Sequence, residues 1–206
     1  MPIIIDVAGD WESDALTTKT ILKWVIKTQT PAAAHEDDTL LDYVIAGASH
    51  LFEQRCRRIF TRAAYTEYHS GDGMSDVFRV KNPPIASAPT PTLYDDTAYV
   101  FGSDTQFALN TDFQFDPASG LVKLLWDVPF NAGFNNIKFG YTGGFSSIPD
   151  DIKLGVAYWA ALLYKLTKDS RHGMNSKAYA EWSESFKDDD LPPFTKQAIE
   201  NYRLRV

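Results

Sequence analysis

The chain has 206 residues, 44% of them hydrophobic and 14% aromatic, with 20 cations against 27 acids and a formal net charge of -7. That is enough apolar material for one cored domain carrying an insertion and a tail, and too much for a chain disordered throughout. The cations form no long stripe of the kind that phosphate-backbone binding needs, and the single cysteine, Cys56, excludes an internal disulfide and a cysteine-rich metal site.

The first stretch, "MPIIIDVAGDWESD", lacks a basic n-region and a small-residue cleavage site, so no signal peptide is expected. No run approaches the roughly 18 apolar residues of a membrane span. A short amphipathic helix is predicted over residues 16–28, with Leu16, Ile21, Trp24 and Val25 at helical spacing and Thr17 as N-cap. Pro31 breaks it, and the acidic run Glu36, Asp37, Asp38 suits the positive first turn of a second helix, predicted over residues 39–60. In that helix Leu41, Val44, Ala48, Leu51, Arg55 and Ile59 recur every three or four residues, and Ile45 and Phe52 widen the stripe. Thr39 and Asp42 have the spacing of a capping box. Cys56 falls in the apolar pattern as a small buried hydrophobe, and Arg55, Arg57, Arg58 and Arg62 read as a solvated helix end.

The period then changes to two. Tyr65 to Tyr68 and Val77 to Val80 alternate on either side of the turn residues "SGDG", which predicts a hairpin. "PTLYDD", "AYVFG", "FQFD", "LVKLLW" and "NIKFGY" are further strands, divided by turns such as "DPASG" and "NAGFNN". Residues 62–141 are therefore expected to form an antiparallel β-rich insertion. Gly143 and Gly144 end its last strand, and Pro149 with Asp150 and Asp151 opens a third helix over residues 149–168. Ile152, Val156, Trp159, Leu163 and Leu166 make its stripe, but Leu154, Ala157, Ala161 and Leu162 leave it apolar over most of its circumference. Such a helix is normally buried by more than one neighbour: the second helix plus the β layer, or a second subunit.

Residues 169–206 form a polar, helical or extended tail. Tyr179, Trp182 and Phe186 make a thin aromatic stripe, "DDDLPP" interrupts it, and a final short helix follows. A segment this polar is expected to dock on something else and to be dispensable for folding of the core. The fold class expected is α+β, with about three main helices, the β insertion and this tail, and a core over residues 1–168.

Chemistry-bearing patterns are scarce. His35, His50, His69 and His172 make no metal-ligand spacing, and "GDGMSD" lacks the regular acids of a calcium loop. No nucleophile elbow and no phosphate-cradling loop occurs. Adjacent acids such as Asp95 with Asp96 and Asp150 with Asp151 read as solvated caps. No catalytic residue, cofactor or metal ligand is assigned, and the chain is not expected to be an enzyme. Two other readings stay open. The aromatics Tyr65, Tyr68, Tyr94, Tyr99 and Trp126 would suit a carbohydrate- or surface-binding module, and a small hydrolase without a readable motif is the other.

Four stretches occur in a telling order: "EDDTLLDYVIAGASHLFEQRCRRIF", "YTEYHSGDG", "VFRVKNPPIAS" and "IKFGYTGGFSSIPDDIKLGVAYWAALLY". Together they resemble the head-tail connector (adaptor, head-completion) family of tailed bacteriophages and gene transfer agents, over about residues 13 to 168. The resemblance implies a virion neck protein, made in the host cytoplasm, that assembles as a homo-oligomeric ring of twelve copies. The ring would lie between the portal protein and the tail-completion, stopper or tail proteins. It further implies that the C-terminal segment docks on the portal, through Phe194, Ile199, Tyr202, Arg203, Leu204, Arg205 and Val206. Leu41, Leu51, Phe52, Trp159 and Leu163 are the expected core or ring-packing positions. An acidic ring would let DNA pass through its channel without specific binding, and no membrane partner is expected.

Overall fold

Buried along one face of α2 (Asp38–Cys56) are Leu41, Val44, Ile45, Ala48, Ser49, Phe52 and Cys56. The computed structural model that shows this describes residues 15–27, 36–168, 176–179, 182–185 and 191–204. The N-terminal apolar run, Pro31, His35, His172, Phe186, Arg205 and Val206 lie outside the described residues. By its contacts the chain divides into a helical unit, Met1–Arg57 with Ile148–Val206, and a β unit, Arg58–Ser147.

The face of α2 differs in phase from the expected stripe. Leu51 is 38% exposed and Arg55 is exposed, while Ser49 and Cys56 are inside. Ser49 is tolerated there because its hydroxyl oxygen accepts the Leu16 N–H at 3.1 Å. The helix also stops before Ile59 and Phe60, since Arg57 takes a left-handed φ of 58° and its N–H turns back to the Gln54 and Glu53 carbonyls. At the other end Asp37 is the N-cap, so Thr39 lies inside the helix and no capping box forms; Asp42 instead pairs with Lys19 at 3.0 Å.

The first helix, α1 (Lys19–Val25), is shorter than predicted. Thr18, not Thr17, caps it by accepting the Ile21 N–H at 3.3 Å, and Lys27 at φ 60° ends it. Leu22 and Lys23 face inward, the Lys23 ammonium meeting Asp38 at 2.7 Å, whereas Trp24 is 69% exposed.

In α3 (Asp150–Lys168) the Pro149 carbonyl accepts the Lys153 N–H at 3.0 Å, and Asp150 and Asp151 occupy the positive first turn. Its buried residues, among them Ile152, Val156, Ala157, Trp159, Ala160 and Tyr164, run around much of the helix. The cause is packing: α3 touches α1, α2 and α4 (Pro193–Tyr202), so three helices of its own unit cover it. Full burial of one aliphatic side chain stabilises by about 1.5–3 kcal/mol, so the apolar contacts of α3 contribute heavily to the stability of this unit. Its C-terminal end is pinned to the start of α2: the Tyr164 hydroxyl donates to Asp37 at 2.6 Å and the Lys168 ammonium meets the same carboxylate.

In the β unit, β1 (Ala63–Gly71), β3 (Thr92–Asp95), β4 (Gln106–Phe107) and β7 (Gly133–Gly143) form one antiparallel sheet in the order β1-β7-β3-β4. β2 (Val77–Arg79), β5 (Phe113–Asp116) and β6 (Leu121–Leu124) form a second, in the order β2-β6-β5. The expected hairpin of β1 with β2 does not exist. β1 pairs with β7, Tyr65 opposite Tyr141, and β2 pairs with β6, Phe78 opposite Val122. Asp72 explains the separation. Its carboxylate accepts the Met74 and Ser75 N–H groups at 2.8 and 2.7 Å, folding "SGDG" into a loop that carries the chain from one sheet to the other.

"AYVFG" is a loop as well, not a strand. The Asp96 carboxylate accepts N–H bonds from Ala98, Val100 and Phe101, and Tyr99 and Phe101 take φ of 62° and 53°. The predicted turn at "DPASG" forms, closed by the Gly120 N–H on the Asp116 carbonyl at 2.9 Å. Gly120 has φ 71°, and a Cβ there would lie 2.7 Å from Val80, so only glycine fits. Residues of both sheets, including Val80, Leu93, Phe113, Val122 and Phe139, meet in one core. Phe139 at its centre contacts Phe78 edge-on at 5.6 Å and Phe113 at 6.3 Å.

In the tail, β8 (Ser176–Tyr179) pairs antiparallel with β9 (Trp182–Ser185), so the spacing of Tyr179 and Trp182 belongs to a hairpin rather than a helix. The architecture is α+β, with four α-helices and antiparallel sheets among the described residues.

Candidate functional site

The C-terminal segment expected to dock on a partner first docks on its own unit. Thr195 donates its hydroxyl proton to the Gly155 carbonyl of α3 at 2.7 Å, in the interior. Gly155 makes the approach possible, because a Cβ there would stand 3.1 Å from the Ala198 methyl. Ala198 and Ile199 are buried, the Tyr202 hydroxyl donates to Asp151 at 3.1 Å, and the Leu204 N–H donates to the Cys56 carbonyl at 3.0 Å. That last bond satisfies one of the carbonyls that the end of α2 leaves without a helical partner.

Of the tail residues singled out from sequence, Ile199, Tyr202 and Leu204 therefore hold α4 in place. Phe194 and Arg203 face outward, Phe194 beside the exposed ring of Tyr158 with centroids 6.1 Å apart. Among the packing residues, Leu41 and Phe52 are fully buried, Trp159 is buried with the Arg55 guanidinium 5.8 Å from its ring, and Leu163 is partly buried. Leu51 lies outside the core. With Tyr43 it marks an exposed apolar strip on the outer side of α2, where Gly47 also opens on empty space.

A cleft of about 480 Å³ lies in this unit where the end of α2 meets α4. Arg55, Arg57, Lys196 and Arg203 line it together with Gln54, Leu191, Ile199 and Glu200. Neither periodicity nor motif marks this grouping in the sequence. Its residues come from two runs more than a hundred positions apart.

The β unit presents an aromatic face. Tyr68, Lys138 and Tyr94 are directly opposite one another on β1, β7 and β3. Phe101 lies against them, its ring 5.8 Å from that of Tyr68 and 6.4 Å from that of Tyr94, and the Lys138 ammonium sits 5.3 Å from the Phe101 centroid. The Tyr99 hydroxyl donates to the Phe134 carbonyl at 2.8 Å. The sequence singles out the tyrosines but not Phe101, Phe134 or Lys138, because only strand register brings them together. Trp126 stands apart and exposed after β6, and Tyr65 lies half-buried on the opposite face, tilted against Tyr141 at 5.6 Å.

On that inner face Glu67 is a buried carboxylate with three kinds of donor around it. The Tyr141 hydroxyl and the Lys81 N–H donate to it, and the His69 ring nitrogen lies 3.1 Å away. Burial alone would push its carboxyl up, but the bonds from His69, Tyr141 and Lys81 outweigh it and the net shift is downward. Burial and the neighbouring Glu67 charge hold the Tyr141 hydroxyl far above the ordinary tyrosine range. The group therefore keeps a fixed charge with its donors in place, which serves to lock β1, β7 and the chain after β2 together. Nearby, the Asp95 carboxylate accepts the Asn131 N–H at 2.7 Å and the Asn136 side-chain amide at 2.8 Å, tying β3 to the start of β7. Among the described residues no three His, Cys, Asp or Glu side chains gather as a metal site, and no helix is long and apolar enough to cross a membrane.

No family model matches the chain, and no curated protein matches it. Chains of solved structures do, among them three from gene transfer agent particles. A chain in the neck of an empty gene transfer agent particle, computed with C6 symmetry, aligns with TM-score 0.55 and 21% identity over 85% of this chain and 82% of that one. A chain in the neck of the native particle, computed with C12 symmetry, aligns with TM-score 0.54 and 19% identity over 91% of each. A chain in the virion of the native particle aligns with TM-score 0.54 and 19% identity over 100% of this chain and 95% of that one. The helical unit with its β insertion and returning C-terminal helix is thus the fold found in chains of gene transfer agent necks.

Proposed function

We propose that this protein is a structural subunit of a virion neck: a head-tail connector that assembles as a ring beneath the portal, completes the DNA-filled head and provides the tail with its attachment site. The observation that carries the reading is the shared fold, which extends over at least 82% of both chains in each of the three particle structures. The sequence resemblance over about residues 13 to 168 supports it from an independent direction. The surface supports it too, since Trp24, Tyr43, Leu51 and Phe194 expose apolar area that lateral and axial contacts would cover. Within the C-terminal segment we assign the portal contact to Phe194 and Arg203, which are exposed, together with the following Arg205 and Val206.

The test is the native mass of the purified chain, alone and with the portal protein encoded by the same genome. A complex with a fixed number of copies is the expected result. A mass that never changes at high concentration overturns the portal contact.

A sugar-binding role for the aromatic face of the β unit is the second reading, favoured by the alignment of Tyr68 and Tyr94 beside Phe101. The Lys138 ammonium lies over the rings of Tyr94 and Phe101, where a stacked sugar would have to sit. Silence on a glycan array is therefore expected, and micromolar binding would restore this alternative.

A further inference from the structure

β1 is an edge strand: in the order β1-β7-β3-β4 it has β7 on one side and, among the described residues, no strand on the other. The direction of its backbone groups follows from its neighbour. The Thr142 carbonyl accepts the Ala86 N–H at 2.8 Å and the Asn136 carbonyl accepts the Asp96 N–H at 2.9 Å, so the even-numbered residues of β7 turn away from β1 and the odd-numbered ones bond to it. With Tyr65 opposite Tyr141 and Glu67 opposite Phe139, the bonded residues of β1 are the odd ones too. Ala64, Thr66 and Tyr68 therefore hold their N–H and C=O groups to the open side, and all three are exposed. Natural sheets blunt such an edge with exposed charge, proline or a bulge. This stretch has none of them: Glu67 is buried and engaged with Tyr141 and Lys81, and the bulge lies beyond it, at Ser70.

The chain itself carries the complement. β8 and β9, four residues each, form a two-stranded sheet of their own, and so short a pair is marginal in water without a third strand or a packing surface. Two residues separate Tyr179 from Trp182, so that pair closes the hairpin with both its bonds, as does Lys177 with Glu184. Ser176, Ala178, Ser183 and Ser185 are left with their backbone groups outward. When two edges join antiparallel, residues with outward groups come directly opposite one another and share a face. Ser183 and Ser185 then fall beside Thr66 and its neighbours on the exposed face, as cross-strand Thr–Ser partners small enough for close approach. Tyr179 and Trp182 fall on the other face, that of the half-buried Tyr65 and His69, and extend it. Joined parallel, the faces would be exchanged. Within one copy the hairpin pairs only with itself, so the strand that fills the edge comes from another copy. Each copy offers one hairpin and one edge, a head-to-tail contact that closes into a ring when the rotation permits.

We propose that β9 of a second copy, carried by its hairpin, adds antiparallel to β1 and continues the sheet as a lateral contact of the ring. The proposal rests on the neck-subunit reading and gives that ring one of its interfaces.

The test is disulfide trapping in the full chain, whose own Cys56 is buried. Directly opposite residues of such a pair stand about 5.5 Å apart at Cα, within disulfide reach. Mixed and oxidised, Thr66→Cys and Ser183→Cys chains should give a covalent dimer of one of each, about tenfold above either variant alone, and Ser185→Cys covers the neighbouring register. A chain carrying both cysteines should give a ladder of oligomers. Thr66→Pro removes an outward N–H and no bond to β7, so its monomer should melt as the wild type does while association measured by sedimentation falls about tenfold. Thr66→Lys leaves the backbone intact, should weaken association likewise, and covers the case where proline disturbs folding. Mixed chains that never cross-link overturn the proposal. So does a double variant that closes within one molecule, a Thr66→Cys chain that dimerises as well alone as in the mixture, or association indifferent to both Thr66 substitutions. A portal complex formed equally well by every variant removes the strand contact and leaves the neck reading standing. A cross-linked ladder without any portal complex keeps the contact and sinks the portal role.

Discussion

Where α3 meets α4, closeness comes from a missing atom, the Cβ of Gly155; where β1 meets β7, register comes from a buried charge, Glu67. The helical unit is held mainly by shape and apolar area. Of its described ion pairs, Lys19 with Asp42, Lys153 with Asp150 and Lys168 with Asp37 lie toward its surface, and only Lys23 with Asp38 reaches inward. The β unit adds carboxylates that reach across the chain: Glu67 to the Lys81 N–H, Asp95 to Asn131, Asp96 to its own loop. The two should therefore fail under different insults, volume changes in one and acid in the other.

The largest effect expected is that of Trp159→Asp, which places a charge on the buried side of α3 and should cost on the order of 4 kcal/mol or more. Loss of the cooperative helical melt by circular dichroism is the predicted outcome; a soluble, assembling variant would mean that α3 is not the centre of its unit. Gly155→Val comes next. Its side chain would press on Ala198 and lift α4, at about 1–3 kcal/mol, and should speed proteolysis after Lys196 and Arg203 while leaving the β unit's amide-exchange protection unchanged. Truncation after Asp188 should destabilise in the same direction, contrary to the expectation of a dispensable tail, because it removes the cover over Gly155 and Cys56.

For Glu67→Gln a loss of about 1–3 kcal/mol is expected at neutral pH, from donors left poorly satisfied in the interior. Its pH dependence is the sharper test. Glu67 is depressed below 4.5 in the folded state, so its contribution is fully present above the unfolded value and disappears as pH falls through the folded one. The wild-type β unit should lose stability below about pH 4.5, and the Gln variant should show a flatter acid limb in denaturant titrations. An identical acid limb would mean the charge contributes nothing to the sheet. The smallest effect belongs to Leu51→Ser, which should change monomer stability by no more than about 0.5 kcal/mol, since the side chain is half exposed. Any larger shift in the melting temperature would place Leu51 in the core after all.

Much of the helical unit is legible in the sequence because apolar periodicity reports the contacts that hold it. α2 and α3 lie close to where their patterns put them, and the Gly144 to Asp151 junction follows from backbone chemistry. The misses there have local causes. Ser49 hides on the buried face by bonding the Leu16 N–H, which shifts the stripe away from Leu51. Thr195, Ala198 and Ile199 are too small and mixed a face to announce that a glycine forty residues earlier receives them. In the β unit the strands "FQFD", "LVKL" and "NIKFGY" are legible and their partners are not, because Asp72 and Asp96 turn the chain through hydrogen bonds to their own loops. Alternation shows which residues share a face; it says nothing about which strand lies alongside. The basic cleft and the aromatic row were hidden for the same reason, being products of register and packing between distant runs.

The β unit begins and ends at one place. The Phe145 N–H donates to the Phe60 carbonyl at 2.8 Å, Thr61 bridges Phe145, and the rings of Phe60 and Phe145 stack 6.2 Å apart under the Arg58 guanidinium. Some ninety residues thus enter and leave through a single riveted seam, which makes the unit a cassette: it can lengthen, shorten or be exchanged for another without asking the helices to move their ends apart.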